Sequence, residues 1–82
     1  MYTTPENLAF AFANETLFFH TYVGACHYAD GEADRKQLFL RNIEKAVRAK
    51  IPQELLDARG LTWKQVRPYV LQRAKAYLQQ YR

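Results

Sequence analysis

Two histidines and one cysteine are the side chains of this sequence best suited to metal binding. His20 and His27 are seven residues apart, and Cys26 directly precedes the second histidine. On a helix, seven residues correspond to a rise of about 10.5 Å, so the two imidazoles share a face but are too far apart to bind one ion. We interpret the two histidines as buried polar anchors among aromatic side chains, and we expect neither a metal nor another cofactor.

The residues also fail to form a recognisable catalytic arrangement. The chain contains no serine and only three glycines, which excludes a serine nucleophile and argues against a glycine-rich phosphate loop. Glu15 and His20 are five residues apart, so on a helix they do not lie on the same face, where residues three or four apart would meet. Cys26 has no evident base nearby in sequence and falls in the middle of a predicted helix, where a thiolate is not favoured. We therefore expect a protein without enzymatic activity.

Charge is distributed unevenly along the chain. Residues 1–34 contain five acidic and no basic residues, for a net charge of −5. Residues 35–82 contain all twelve basic residues and three acidic ones, for a net charge of +9, so the net charge of the chain is +4. This asymmetry is typical of binding to an acidic protein or a nucleic acid, or of self-association, although a merely solvated basic face also fits. The side chains predicted to contact such a partner are Arg41, Lys45, Arg48, Lys64, Gln65, Arg67 and Arg73.

Helix signals place these residues on an all-α fold, a single domain (1–82) formed by a compact bundle of about four helices. The first helix is predicted from its N-cap, Thr4, to about Ala29, and its length of about 37 Å suggests a break near Gly24. Apolar side chains nearly encircle this segment, which is typical of a buried central helix. Four polar residues would be costly in lipid, so we expect no membrane span: Asn14, Glu15, His20 and His27.

Capping and breaking residues divide the middle of the chain. The second helix is predicted to begin at Asp34, with Gln37 completing a capping box, and to end where Pro52 follows. Pro52 then begins a short third helix, and Gly60 supplies the positive φ that terminates it.

The last helix has the best-marked start. Thr62 is the predicted N-cap and Gln65 the third residue of a capping box. Apolar residues then recur at helical spacing, at Val66, Val70, Ala74, Tyr77, Leu78 and Tyr81. Pro68 removes a backbone donor, so we expect it to kink the helix or to restart it.

The residues from 53 to 70 resemble a helix-turn-helix. Leu55 and Leu56 match its first helix, Gly60 its turn, and Leu61, Val66 and Tyr69 the buried positions of its second helix. The resemblance implies that Lys64, Gln65 and Arg67 face outward to meet DNA.

Twelve aromatic residues are many for a chain of 82. Because a small core does not readily bury them all, we expect a second copy or another partner to cover some of them. A homodimer is predicted, through the first helix or the last turns of the chain. Its candidate interface residues are Phe18, Tyr22, Tyr77 and Tyr81.

These features together favour a small regulator or inhibitor that acts by contact with another protein, of a kind frequent in phages and plasmids. The alternative is a nucleic-acid-binding regulator that uses the basic half and the segment 53–70. A single cysteine and a first basic residue as late as Arg35 argue for a reducing compartment and against a signal peptide, so we expect a cytoplasmic protein.

Overall fold

Five α-helices joined by short connections form residues 4–80, the part of the chain that the computed structural model describes. They are α1 (Pro5–Phe12), α2 (Glu15–Tyr28), α3 (Glu32–Lys50), α4 (Gln53–Arg59) and α5 (Trp63–Gln79). Over these residues the predicted all-α fold is confirmed, with one helix more than expected.

The additional helix arises because the predicted long first helix is divided into α1 and α2. Thr4 caps α1 as expected, but Asn14 adopts an extended backbone and starts a new helix. The side-chain oxygen of Asn14 accepts a hydrogen bond from the backbone N–H of Leu17 at 2.9 Å. A break near Gly24 was therefore the wrong position, since this residue lies inside α2.

The start of α3 also differs from the prediction. The helix begins at Glu32 with Gly31 as its N-cap, two residues before Asp34. The Asp34 carboxylate instead accepts a hydrogen bond from the backbone N–H of Asp30 at 3.2 Å, so it stabilises the turn that precedes the helix. Short polar side chains stabilise turns in this way as readily as they cap helices.

The later boundaries follow the sequence signals more closely. Gly60 ends α4 in the left-handed region, with a φ of 66°. At the start of α5, Thr62 and Gln65 form the expected capping box, in which the backbone N–H of Thr62 donates to Gln65 Oε1 at 2.9 Å. Pro68 is exposed and α5 continues through it to Gln79, so the helix does not restart there.

The core lies where α5 packs against α1 and α3, and where α3 packs against α2. Its largest fully buried side chains are Leu8, Phe39, Ile43, Val47, Val66 and Val70. Four rings, which we call the aromatic cluster, join α2, α3 and α5 with centroid distances of 5.3–6.3 Å: Phe18, Tyr22, Phe39 and Tyr77. Tilted and offset rings at this spacing add to the stability that apolar burial provides.

Candidate binding surface

Helices α3 and α5 lie side by side in opposite directions. Near the start of α3, Lys36 lines a groove with residues from the end of α5. Further along α3, Glu44 accepts a hydrogen bond from Nε of Arg67, and near its end the Arg48 guanidinium lies 6.0 Å from the Trp63 ring centroid. This alignment places the basic residues of two helices at one surface of the molecule.

We define the basic surface by seven exposed side chains of α3 and α5: Lys36, Arg41, Lys45, Arg48, Lys64, Arg67 and Lys75. Lys64 belongs to this group because it precedes Arg67 by one helical turn and shares a helical row with Lys75. Along α3 the basic surface extends for about 18 Å, twelve residues at ~1.5 Å each.

Two depressions lie within the basic surface. The larger, of about 460 Å³, is on the outer side of α3 and is lined by Arg41, Glu44, Lys45, Arg48 and Ala49. The smaller, of about 280 Å³, lies between the two helices and is lined by Lys36, Leu40, Lys75, Leu78 and Gln79. Leu40 and Leu78 are half-buried and pack against the core, so the second groove has an apolar floor and a basic rim.

The basic surface is not uniformly positive. Glu44 lies in its middle and forms an ion pair with Arg67, and the two side chains are 29% and 49% exposed. At one end, Lys36 lies 3.8 Å from the carboxylate of Glu32 in a far more exposed pair. Arg67 therefore engages a carboxylate within the molecule, but both cations are about half exposed, and ion pairs at such positions contribute little to stability.

Two predicted contact residues have other roles in this structure. Gln65 uses its side-chain oxygen to cap α5. Arg73 donates from Nε to the backbone carbonyl of Ala13 at 3.3 Å, and its guanidinium lies 4.2 Å from the Phe10 ring centroid. Arg73 thus lies at the corner between α1 and α2 and not on the basic surface.

The predicted interface residues are mostly interior. Phe18 and Tyr77 are buried in the aromatic cluster, so neither presents a surface to a partner. Tyr22 is half-buried in the same cluster, and its side-chain hydrogen bond with Arg35 raises the pKa of that guanidinium. Tyr81 lies outside the described residues.

Sequence reasoning missed residues of two kinds. Lys36 and Lys75 were not assigned to a site, because only the antiparallel alignment of α3 with α5 brings them together. Phe19 and Val23 belong to the segment that the sequence predicts as a buried helix, yet they are 53% and 40% exposed. His20 and His27 are exposed as well, so the prediction that they are buried polar anchors is wrong. A helix that is apolar on all sides gives no signal of which side faces solvent.

Within residues 4–80, no cluster of three or more His, Cys, Asp and Glu side chains is placed to hold a metal ion. None of the helices in this part of the chain has the length and apolarity needed to cross a membrane. Comparisons with protein-family models, curated proteins and solved structures give no match to this chain. Its function must therefore be inferred from the geometry and chemistry of its own surface.

Proposed function

We propose that this chain is a small, non-enzymatic binding protein that regulates or inhibits another protein by contact. Its partner presents an acidic amphipathic helix, which lies along the basic surface. The observation that carries this proposal is the groove between α3 and α5, with Leu40 and Leu78 beneath and Lys36 and Lys75 at the rim. Apolar side chains of a bound helix fit such a floor, and carboxylates beside them meet the basic rim.

The adjoining outer side of α3 extends the same chemistry. Arg41, Lys45 and Arg48 recur at intervals of four and three residues, so they project from one side of the helix. Their charges would attract an acidic partner over distances of about 10 Å at moderate salt and orient it before contact. Arginine adds specificity because its guanidinium can bind a carboxylate through two parallel hydrogen bonds.

The apolar floor of the groove favours a protein over a nucleic acid as the partner. Leucine side chains of a bound helix can pack on Leu40 and Leu78, whereas a phosphate backbone offers no apolar group to cover them. Of the three residues that the helix-turn-helix resemblance assigned to DNA contact, Gln65 caps α5 and Arg67 is paired. Lys64 alone of these three lacks such a role, which leaves little for reading base sequence.

A nucleic-acid-binding regulator is the second candidate. It is favoured by the length of the basic surface, since several phosphates could lie along about 18 Å of α3. Binding of this kind would depend on charge alone and would be tolerant of sequence.

We assign either activity to the cytoplasm. The support is Cys26, which is exposed and forms no disulfide in the described part of the chain. A free surface thiol persists most readily in a reducing compartment.

Fluorescence anisotropy with designed peptides tests the proposal. The probes are a panel of labelled helical peptides with leucines in one stripe and glutamates elsewhere, and scrambled peptides of the same composition without the stripe. We expect the striped peptides to bind and the scrambled ones to bind at least about tenfold more weakly, which corresponds to ~1.4 kcal/mol. Equal binding of both would show that charge alone is recognised.

A pair of charge reversals locates the site. Lys45→Glu should weaken peptide binding by about tenfold, because attraction becomes repulsion on the basic surface. Arg59→Glu is the matched control, since Arg59 is exposed on α4 and lines neither depression. Equal losses in the two variants would contradict a site on α3 and α5, and circular dichroism verifies that both remain folded.

A further inference from the structure

Helix α2 carries an exposed apolar row on the side opposite the core. Phe18 and Ala25 face inward and are buried, whereas Phe19 and Val23 are 53% and 40% exposed. Helical periodicity groups these two with the other exposed residues of the same side. We define the α2 outer face by these six: Thr16, Phe19, His20, Val23, Cys26 and His27.

The α2 outer face carries no ionised side chain when its histidines are neutral. The neighbouring charges lie at its edges: Glu15 before it, Asp30 after it, and the half-buried Arg35 of α3 beside Cys26. The basic surface on α3 and α5, in contrast, contains seven basic side chains. Neither an acidic nor a basic partner would find a complementary charge on the α2 outer face.

A second copy of this chain fits the α2 outer face best. In a two-fold symmetric interface the same surface meets itself, so every charge on it would lie near an identical charge. Two copies of a chain with a net charge of +4 therefore repel each other least when they meet through a surface without charged side chains. Exposed Phe19 and Val23 supply the apolar area that such a contact needs.

We propose that two copies of the protein form a homodimer in which their α2 outer faces pack antiparallel. When the two-fold axis passes between His20 and Val23, His20 of each copy lies opposite Val23 of the other copy. Thr16 of each copy then lies opposite His27 of the other. The antiparallel arrangement also places each helix N-terminus beside the partner's C-terminus, where the macrodipoles attract.

The extent of the α2 outer face limits the size of the dimer interface. From Thr16 to His27 the row is about 16 Å long, eleven residues at ~1.5 Å each. A contact made by one such row on each copy is at the low end of interface sizes, and we expect association in the micromolar range. The basic surfaces stay free in this dimer, so it forms independently of the binding activity proposed above.

Sedimentation velocity across the micromolar range tests the dimer. The wild-type protein should shift from its monomer mass of 9.7 kDa toward twice that value as its concentration rises. Val23→Lys should stay monomeric at every concentration, because it brings two positive charges together near the two-fold axis. Gln72→Lys is the control and should dimerise like the wild type, since Gln72 is exposed on α5.

A neutral substitution separates packing from charge. Phe19→Ser should weaken dimerisation by about tenfold or more through loss of apolar contact alone. A wild-type protein that remains a monomer throughout the micromolar range would overturn the proposal and leave the α2 outer face to another molecule. Dimerisation of Val23→Lys or Phe19→Ser at wild-type strength would overturn it as well.

Discussion

Arg73 connects α5 to the corner between α1 and α2. Its Nε donates to the carbonyl of Ala13, the C-cap residue of α1, and its guanidinium lies against the Phe10 ring. The last turn of α1 contains no basic residue of its own. Arg73 therefore supplies the positive charge that the carbonyl end of a helix attracts.

We expect Arg73→Ala to lower the free energy of unfolding by about 1–3 kcal/mol, since it removes a charged hydrogen bond and a cation–π contact. Lys75→Ala, two residues along the same helix, should change it by less than about 0.5 kcal/mol, because Lys75 is exposed. Binding of the striped peptide should follow the opposite order, with the larger loss for Lys75→Ala. Urea denaturation measures the stability and fluorescence anisotropy measures the peptide binding. If the same variant showed the larger loss in both measurements, these roles would be contradicted.

The sequence located some single residues correctly and not others. Thr4 and Gly60 act where local rules place them, because a cap or a left-handed turn depends only on adjacent backbone. Arg73 was predicted to face a partner, and its actual contacts lie 60 residues away in sequence at Ala13. Such long-range contacts depend on how the helices pack, which residue type alone does not encode.

At the scale of helices, the division between α1 and α2 is the main departure from the sequence prediction. Asn14 followed by Glu15 is an N-cap signal, but the apolar run on both sides of it suggested one continuous helix. The break lets α1 pack on α5 while α2 packs on α3. Tertiary packing thus favours two short helices over the single long one that the local pattern allows.

Asn14→Ala should lower the free energy of unfolding by about 1 kcal/mol, the usual cost of losing an N-cap. Asn7→Ala is the matched control, because Asn7 is exposed inside α1 and alanine is the better helix former there. The control should therefore be neutral or slightly stabilising. Thermal and urea denaturation of both variants measure the difference, and equal stabilities would show that Asn14 does not hold the break.

The alignment of α3 with α5 could not be read from the sequence either. The charge pattern indicated Arg41, Lys45 and Arg48 as one face, which requires only the period of α3. Bringing Lys75 beside Lys36 requires the register between two helices, which the buried side chains of both determine together.

At the scale of the whole molecule, the structure separates two kinds of surface. Helix α3 packs against α2 and α5, and the basic surface follows α3 and α5 while the uncharged outer face belongs to α2. The charge asymmetry of the sequence predicted a basic region of this kind. It did not distinguish an acidic protein from a nucleic acid, because both carry negative charge and only the apolar floor of the groove separates them.

The central claim is that the basic surface recognises an acidic amphipathic helix. A competition experiment at about 150 mM salt tests it most directly, since weak phosphate binding is reduced at that ionic strength. The labelled striped peptide is bound to the wild-type protein and displaced with unlabelled striped peptide, mixed-sequence duplex DNA or single-stranded RNA. We predict that displacement requires roughly a hundredfold more nucleic acid than peptide, a difference of ~2.7 kcal/mol. Displacement by DNA or RNA at concentrations equal to or below that of the peptide would contradict the claim and favour the nucleic-acid-binding alternative.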